Sequence, residues 1–346
     1  MADPTLSGQD VATIVATSLE NYRPKLIDSF SRNDAFFFFI NKNERVDYED
    51  GGYAITEPLL YAGNNTIKSY FPGQYLETER PGGFTQVKYG WAFVGGTIVI
   101  DGPTEFMNSG KGRLVNLVEG YIEQLKISFS QAMTDMFFSD GTGNDGADLH
   151  GLELLIEDGT AWSTVGGIDA SLAANAFWRN YWEDADATAW TVADGANAYG
   201  IKRLKHAIKK TSKPGYGKAD ALLTSLDQYE LYESAIAAKI AFNMPSMEDK
   251  DYADAGFGGL RLDGIPVIYD ESLDDHATTE TQNTWFILNS KSLRLVIGKN
   301  RAFDVSPPIE HPLKDAKMMK ARLYGQLTVR GRRDTLGRVL LSASAA

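Results

Sequence analysis

The stretch TQVKYGWAF, residues 85–93, is the segment from which the fold can be inferred. Large side chains at Val87, Tyr89, Trp91 and Phe93 alternate with smaller or more polar ones. This period of two predicts a β-strand that carries all four large side chains on one face.

A second strand pattern precedes the first over residues 53–61, where Pro58 restricts the strand to an edge or a bulge. Ten glycines and nine aromatic residues lie between Gly51 and Thr104, which predicts a long two-stranded arm. An isolated ribbon is marginally stable in water, so we expect a second copy of the chain to cover it. The predicted contact residues of the arm are Lys68, Tyr70, Phe71, Tyr75, Arg80, Tyr89, Trp91 and Phe93.

Four consecutive phenylalanines, Phe36, Phe37, Phe38 and Phe39, precede the arm. A single helix or strand cannot point all four rings at one core. Two interpretations have equal weight: a junction packed on several sides, or a contact between subunits.

Helical periodicity appears in four segments. Residues 10–30 form one amphipathic pattern, and residues 108–139 predict the longest helix, about 45 Å for roughly thirty residues. Residues 194–211 predict a basic helix, whose usual explanation is a solvated face. Ser225 begins a capping-box pattern for a fourth helix.

Strand patterns dominate the C-terminal part. Residues 221–224 predict a short buried strand, and Asp263-Gly264 is a strong hairpin signal. Residues 321–329 alternate cleanly, and the turn at 334–337 leads into a last strand. Together with the helices, these patterns predict an α+β protein.

Composition excludes several classes of protein. The 346 residues are 43% hydrophobic and 23% charged, which is ordinary for a globular chain and excludes collagen, coiled coil and wholesale disorder. The net charge of −12 opposes tight, non-specific binding of nucleic acid. Without cysteine there is no disulfide, thiolate nucleophile or cysteine metal site. No signal peptide or membrane helix is recognisable, which favours a soluble protein.

The loop at residues 139–148 partly matches two ligand-binding motifs. Its glycines have the spacing of a nucleotide-binding loop, but they follow a predicted helix instead of a strand: Gly141, Gly143 and Gly146. Side chains with oxygen atoms occupy alternate positions, as at the start of a calcium-binding loop: Asp140, Thr142 and Asn144. Position six of that loop is Asp145 and position twelve is Gly151, where calcium loops need Gly and Glu. A flexible loop explains the segment better.

No segment carries a catalytic signature. The four histidines are far apart and have no metal-ligand spacing: His150, His206, His276 and His311. Nucleophile-elbow and Walker motifs are absent from the sequence. We therefore predict no enzyme activity and no catalytic, cofactor-binding or metal-binding residue.

Several short motifs occur in a specific order along nearly the whole chain. They are GLELLI at 151–156, VGGID at 165–169, FWRN at 177–180, LLTS at 222–225, GIPV at 264–267, YGQL at 324–327 and RDTLG at 333–337. With the aromatic arm and the long helix, they resemble the major capsid proteins of tailed bacteriophages, whose fold was first described for the Hong Kong 97 phage.

The resemblance implies a domain organisation. Residues 1–45 would be an N-terminal arm and residues 46–104 the extended E-loop. Residues 105–196 would form the peripheral (P) domain with its spine helix. Residues 197–300 would form the axial (A) domain, and residues 301–346 would return to the P domain. Because the arm begins by about residue 50, no N-terminal scaffolding domain is expected.

The resemblance also implies a function. The chain would self-assemble as hexamers and pentamers into an icosahedral head around double-stranded DNA, held without sequence specificity. It would be located in the virion after assembly in the host cytoplasm, with scaffold, portal and decoration proteins as further candidate partners and no membrane. The alternative is an encapsulin-like shell around cargo enzymes.

Overall fold

A computed structural model describes residues 35–76, 78, 82–107, 117–184, 199–212, 217–240, 260–273, 283–299, 301–310 and 312–341. The chain divides into two compact units. The small unit contains the described residues within 94–133 and 300–323. The large unit contains residues 33–93, 134–299 and 324–346.

Helices and strands are mixed along the chain, so the α+β class is confirmed. The helices described are α1 Ala35–Lys42, α2 Gly102–Met107, α3 Leu117–Phe138, α4 Gly143–Gly146, α5 Leu152–Leu155, α6 Tyr199–Lys210 and α7 Leu226–Ile240. Short 3-10 turns cover Ala173–Trp178 and Glu271–Leu273. The strands described are β1 Val46–Glu49, β2 Ile55–Leu60, β3 Phe84–Tyr89, β4 Ala92–Asp101, β5 Thr164–Val165, β6 Ile168–Asp169, β7 Tyr181–Asp184, β8 Ala221–Thr224, β9 Arg261–Leu262, β10 Ile265–Tyr269, β11 Thr284–Leu288, β12 Leu293–Gly298, β13 Asp304–Val305, β14 Ile309–Glu310, β15 Ala316–Val329 and β16 Gly337–Leu340.

One sheet of the large unit has the order β7-β16-β11-β8-β10-β9. All four residues of β8 are buried, as the sequence predicts. Asp263 and Gly264 have positive φ angles of 52° and 83°, the backbone that a two-residue hairpin turn requires. Helices α6 and α7 pack on this sheet through a buried cluster that includes Leu204 and Tyr232.

The strand β16 lies in this sheet beside β11. The resemblance predicts different domains for residues 197–300 and 301–346, and this sheet contains strands from both ranges. The domain boundaries themselves stay predictions. α7 begins directly after Ser225, whose Oγ accepts a hydrogen bond from the Gln228 amide at 3.4 Å, as the capping pattern predicts.

A second set of strands is centred on β15. In the large unit, the C-terminal half of β15 pairs antiparallel with β12, and β12 pairs in parallel with β1. In the small unit, the N-terminal half of β15 pairs with β13 and β14. There, Ile98, Ile100 and Met319 form a small core against Tyr121 and Leu125 of α3.

The long helix is shorter than predicted within the described residues. α3 has 22 residues, about 33 Å at 1.5 Å per residue. α2 is a separate short helix over residues 102–107. The predicted helix over residues 10–30 and the first part of the predicted long helix, residues 108–116, lie outside the described residues.

The predicted strand over residues 85–93 is two strands. β3 ends at Tyr89 and β4 begins at Ala92, because Gly90 and Trp91 leave the strand conformation. The interruption changes which face each residue occupies, so Ala92 is buried and Phe93 is 66% exposed. The prediction that Phe93 shares a face with Tyr89 is therefore wrong.

The phenylalanine run forms the helix α1. Phe36, Phe39 and Ile40, at positions i, i+3 and i+4, are buried, whereas Phe37 is 40% exposed and Phe38 is half-buried. The Phe36 ring contacts Phe137 edge-on, with centroids 5.4 Å apart. Phe36 and Phe39 therefore pack inside their own chain and leave no surface for a neighbouring subunit, which corrects that prediction for these two residues.

Alanine substitutions distinguish the two faces of α1. Phe36→Ala should lower the free energy of unfolding by about 3–5 kcal/mol, because it empties a fully buried site. Phe37→Ala should cost considerably less, since much of its ring is already in water. Urea unfolding of the unassembled protein measures both, and equal losses would contradict the assignment of faces.

Candidate subunit-contact surface

The distal part of the arm, residues 61–83, is here called the arm tip. Its described large side chains are all exposed; they are Tyr61, Ile67, Tyr70, Phe71, Tyr75 and Leu76. Phe71 is 81% and Tyr75 is 94% exposed. Lys68 is exposed as well, and Arg80 lies outside the described residues. An exposed apolar group of this size indicates a surface that another molecule covers.

The base of the arm, in contrast, belongs to the core of its own chain. β2 and β3 pair from Ile55 with Tyr89 to Leu60 with Phe84, and the side chains of Ile55, Val87 and Tyr89 are fully buried. The prediction that Tyr89 contacts another subunit is therefore wrong. A fully buried side chain has no surface to offer a neighbour.

Tyr89 also fastens the arm to the strand β15. Its hydroxyl donates a hydrogen bond to the Val329 carbonyl at 3.0 Å. Burial raises the pKa of the phenol above its ordinary value of 10.0, which keeps the proton that this hydrogen bond needs.

A tight hairpin, β5–β6, holds the arm base from another side. The Lys88 amide donates to the Gly166 carbonyl at 2.9 Å. Gly166 has a φ of +59°, and a Cβ atom there would overlap the Val87 side chain. Nearby, the Tyr61 ring stacks on Phe177 with centroids 4.7 Å apart. The VGGID and FWRN motifs thus lie where the arm leaves the body of its own chain.

The hairpin depends in turn on a buried guanidinium. Arg332 is fully buried; its Nε donates to the Leu155 carbonyl at 2.9 Å, and its Nη2 donates to Glu157 at 2.6 Å. Asn180 Oδ1 accepts a second bond from Nη2 at 3.2 Å. Burial lowers the pKa of the guanidinium, and the Glu157 carboxylate opposes that shift.

Glu157 connects this guanidinium to the hairpin, because the Ser163 amide donates to the Glu157 carboxylate at 2.6 Å. Sequence reasoning selected neither Arg332 nor Glu157. A charged residue between loops gives no periodic signal, and only the neighbouring RDTLG motif marks this region.

A groove of about 780 Å³ opens at the base of the arm. Aromatic residues and glycines together make up most of its described lining, which includes Gly52, Tyr53, Lys88, Trp91 and Phe93. Trp91 is half-buried and donates from Nε1 to the Gly52 carbonyl at 2.9 Å. Phe93 rests edge-on against Tyr324 with centroids 4.9 Å apart, and Tyr53 is fully exposed.

The loop at residues 139–148 forms hydrogen bonds within itself. Asp140 accepts from the Thr142 amide at 3.0 Å, and Asp148 accepts from Asn144 at 2.7 Å. Asn144 and Asp145 have left-handed backbone. In the described parts of the chain, no group of three His, Asp or Glu side chains could hold a metal ion. No helix there is long and apolar enough to cross a membrane.

The fold is the Hong Kong 97 type found in tailed-phage capsid proteins. A scan of protein-family models and a search of curated proteins found no match. Among solved structures, the capsid protein of cyanophage A-1(L) matches with a TM-score of 0.68 and 14% identity, over 94% of this chain and 97% of that one. The capsid of Myoviridae phage XM1 matches with a TM-score of 0.60 and 12% identity, over 93% and 96%.

A cellular shell protein has a similar fold. The SrpI encapsulin of Synechococcus elongatus matches with a TM-score of 0.59 and 9% identity, over 96% of each chain. At these identities the likeness shows the fold. The solved chains come from shells, not from enzymes.

Two adjacent glycines test how the hairpin holds the arm. Gly166 and Gly167 both have left-handed φ angles, so alanine at either should cost about 1–2 kcal/mol in backbone strain. Only at Gly166 would the new Cβ also strike Val87 and Tyr89, which should add about 1–3 kcal/mol. Urea unfolding compares the variants, and an equal loss at both positions would show that the hairpin does not press on the arm.

Proposed function

We propose that this chain is the major capsid protein of a tailed phage, assembling as hexamers and pentamers into an icosahedral head. The observation that carries the proposal is the match of nearly the whole chain to phage capsid chains of nearly the same length. The exposed apolar side chains of the arm tip support it, because an exposed apolar patch marks a surface that contacts another molecule.

In this proposal the arm tip contributes to assembly more than to folding. The base of the arm already has its own core, whereas the tip exposes several aromatic rings to water. Obligate subunit interfaces bury upward of about 2,000 Å², which is enough to remove those rings from solvent. The tip residues Lys68, Tyr70, Phe71 and Tyr75 are the proposed contacts with a neighbouring subunit.

The charge of the chain is consistent with packaged double-stranded DNA held by confinement. A subunit with a net charge of −12 should make few phosphate contacts and no sequence-specific ones. We place the protein in the virion, assembled in the host cytoplasm. Scaffold, portal and decoration proteins are the remaining candidate partners, and no catalytic role is proposed.

The second candidate function is an encapsulin-like shell around cargo enzymes. The similarity to the Synechococcus encapsulin over 96% of both chains favours it. Both shells would have the same fold and would need the same contact of the arm. The property that distinguishes them is their content. A phage head encloses DNA, whereas the alternative would enclose protein.

Electron microscopy of the purified protein tests the proposed function directly. We expect closed shells or ring-shaped capsomers, because the arm tip should find its cover only in an assembly. Compact particles of low copy number would instead indicate an enzyme. For particles isolated from their natural source, a nuclease-protected duplex indicates a phage head and co-purifying enzymes indicate the encapsulin alternative.

Replacing residues 68–80 by a short Gly/Ser turn isolates the role of the arm tip. The unassembled variant should keep a cooperative thermal transition, because the buried base of the arm is unchanged. Shells should fail to form or become fragile. A Gly/Ser replacement of the exposed turn at residues 143–147 serves as the control and should assemble normally. Normal, equally stable shells from the arm variant would refute the role of the tip.

A further inference from the structure

The arm places two apolar surfaces at opposite ends of one ribbon. The tip continues from the end where Leu60 pairs with Phe84, and the groove opens at the end where Ile55 pairs with Tyr89. The six paired residues span five steps of about 3.4 Å, which separates these ends by about 17 Å. The tip therefore begins at the far end of the ribbon, and its exposed rings Phe71 and Tyr75 do not fill the groove of their own chain.

The groove and the tip have complementary chemistry. The groove presents the rings of Tyr53, Trp91 and Phe93, and Lys88 is the single charged side chain among its lining residues. The tip presents the exposed side chains Tyr70, Phe71, Tyr75 and Leu76. Aromatic pairs stabilise each other beyond area burial, and a lysine ammonium above a tyrosine ring adds a cation–π attraction.

We propose that the groove at the arm base receives the arm tip of a second copy of this chain. The inference rests on the proposed function and adds the receiving surface, which the fold alone does not identify. Because tip and groove are different surfaces of one chain, the contact is head-to-tail. Repetition of a head-to-tail contact closes into a ring when the rotation allows, as a hexamer or pentamer requires.

The rigidity of the groove supports this role. The Trp91 indole is fixed by its bond to the Gly52 carbonyl, and Phe93 is fixed against Tyr324. Neither ring needs to rearrange to accept a partner, so less conformational entropy is lost on binding. Tyr53, which is fully exposed, is the lining residue that binding would cover most.

Cysteine crosslinking tests the contact, because the natural chain contains no cysteine. Tyr53→Cys and Tyr75→Cys, combined in one full-length chain, should be linked between copies by a short bifunctional maleimide. We expect a ladder of covalent oligomers that ends at five or six subunits. Phe71→Cys in place of Tyr75→Cys gives a second tip position. Each single variant alone should give no ladder.

The matched control replaces the groove position by an equally accessible one. Phe106→Cys with Tyr75→Cys should give no ladder, since Phe106 is 80% exposed but does not line the groove. An equal ladder from this pair would overturn the proposal.

Two further outcomes identify what fails. Shells without any link from Tyr53→Cys to the tip would overturn the groove assignment and leave the proposed function intact. Links from Tyr53→Cys to Ser7→Cys, with none to the tip, would assign the groove to the N-terminal segment and would also overturn it. If electron microscopy shows no assembly at all, the proposed function fails and this inference fails with it.

Discussion

The buried guanidinium of Arg332 is the contact on which the large unit depends. It binds Leu155, Glu157 and Asn180, and Glu157 binds Ser163 at the start of the β5–β6 hairpin. The hairpin presses Gly166 on Val87, and Tyr89 beside it bonds back to Val329, three residues before Arg332. Loss of the carboxylate would leave a buried charge without its partner and would lower the stability by several kcal/mol. The segments that contact Arg332 therefore depend on one another for their positions.

This ring of contacts explains why one ribbon has two different ends. Its base is clamped on several sides within its own chain, and two-stranded ribbons need such support to be stable. Beyond Tyr61, its tip exposes Phe71 and Tyr75 to water. A rigid base fixes the direction of the tip, so a neighbour meets a preorganised surface and loses less entropy on binding. The apolar surface of the tip is not buried when the monomer folds, so its burial stabilises the assembly instead.

Features of the fold that have local causes were predictable from the sequence. The alternation in β15 and the Asp263-Gly264 turn needed only periodicity and backbone preference. The break at Gly90 and Trp91 was missed: a glycine inside a strand pattern often marks a bulge, but the alternation of large side chains continues through it. Phe36 is buried because Phe137 lies against its side of the helix, whereas Phe37 is on the other side. Arg332 was missed for the same reason: its partners come from residues about 150 to 180 positions away. For the contact surface, the exposed aromatics of the tip were predicted, and the burial of Tyr89 was not.

Charge determines the range at which such a surface acts. Two cations of the large unit are paired within the chain: Arg330 with Glu57 at 2.6 Å, and Arg294 with Asp47. The net charge of −12 makes copies repel each other, and at physiological salt this repulsion is screened over a Debye length of about 8 Å. Apolar and aromatic contacts act only when surfaces meet, so they must outweigh this repulsion at short range. Attraction confined to a tip and a groove makes association specific, because copies that meet elsewhere experience repulsion without the compensating contact.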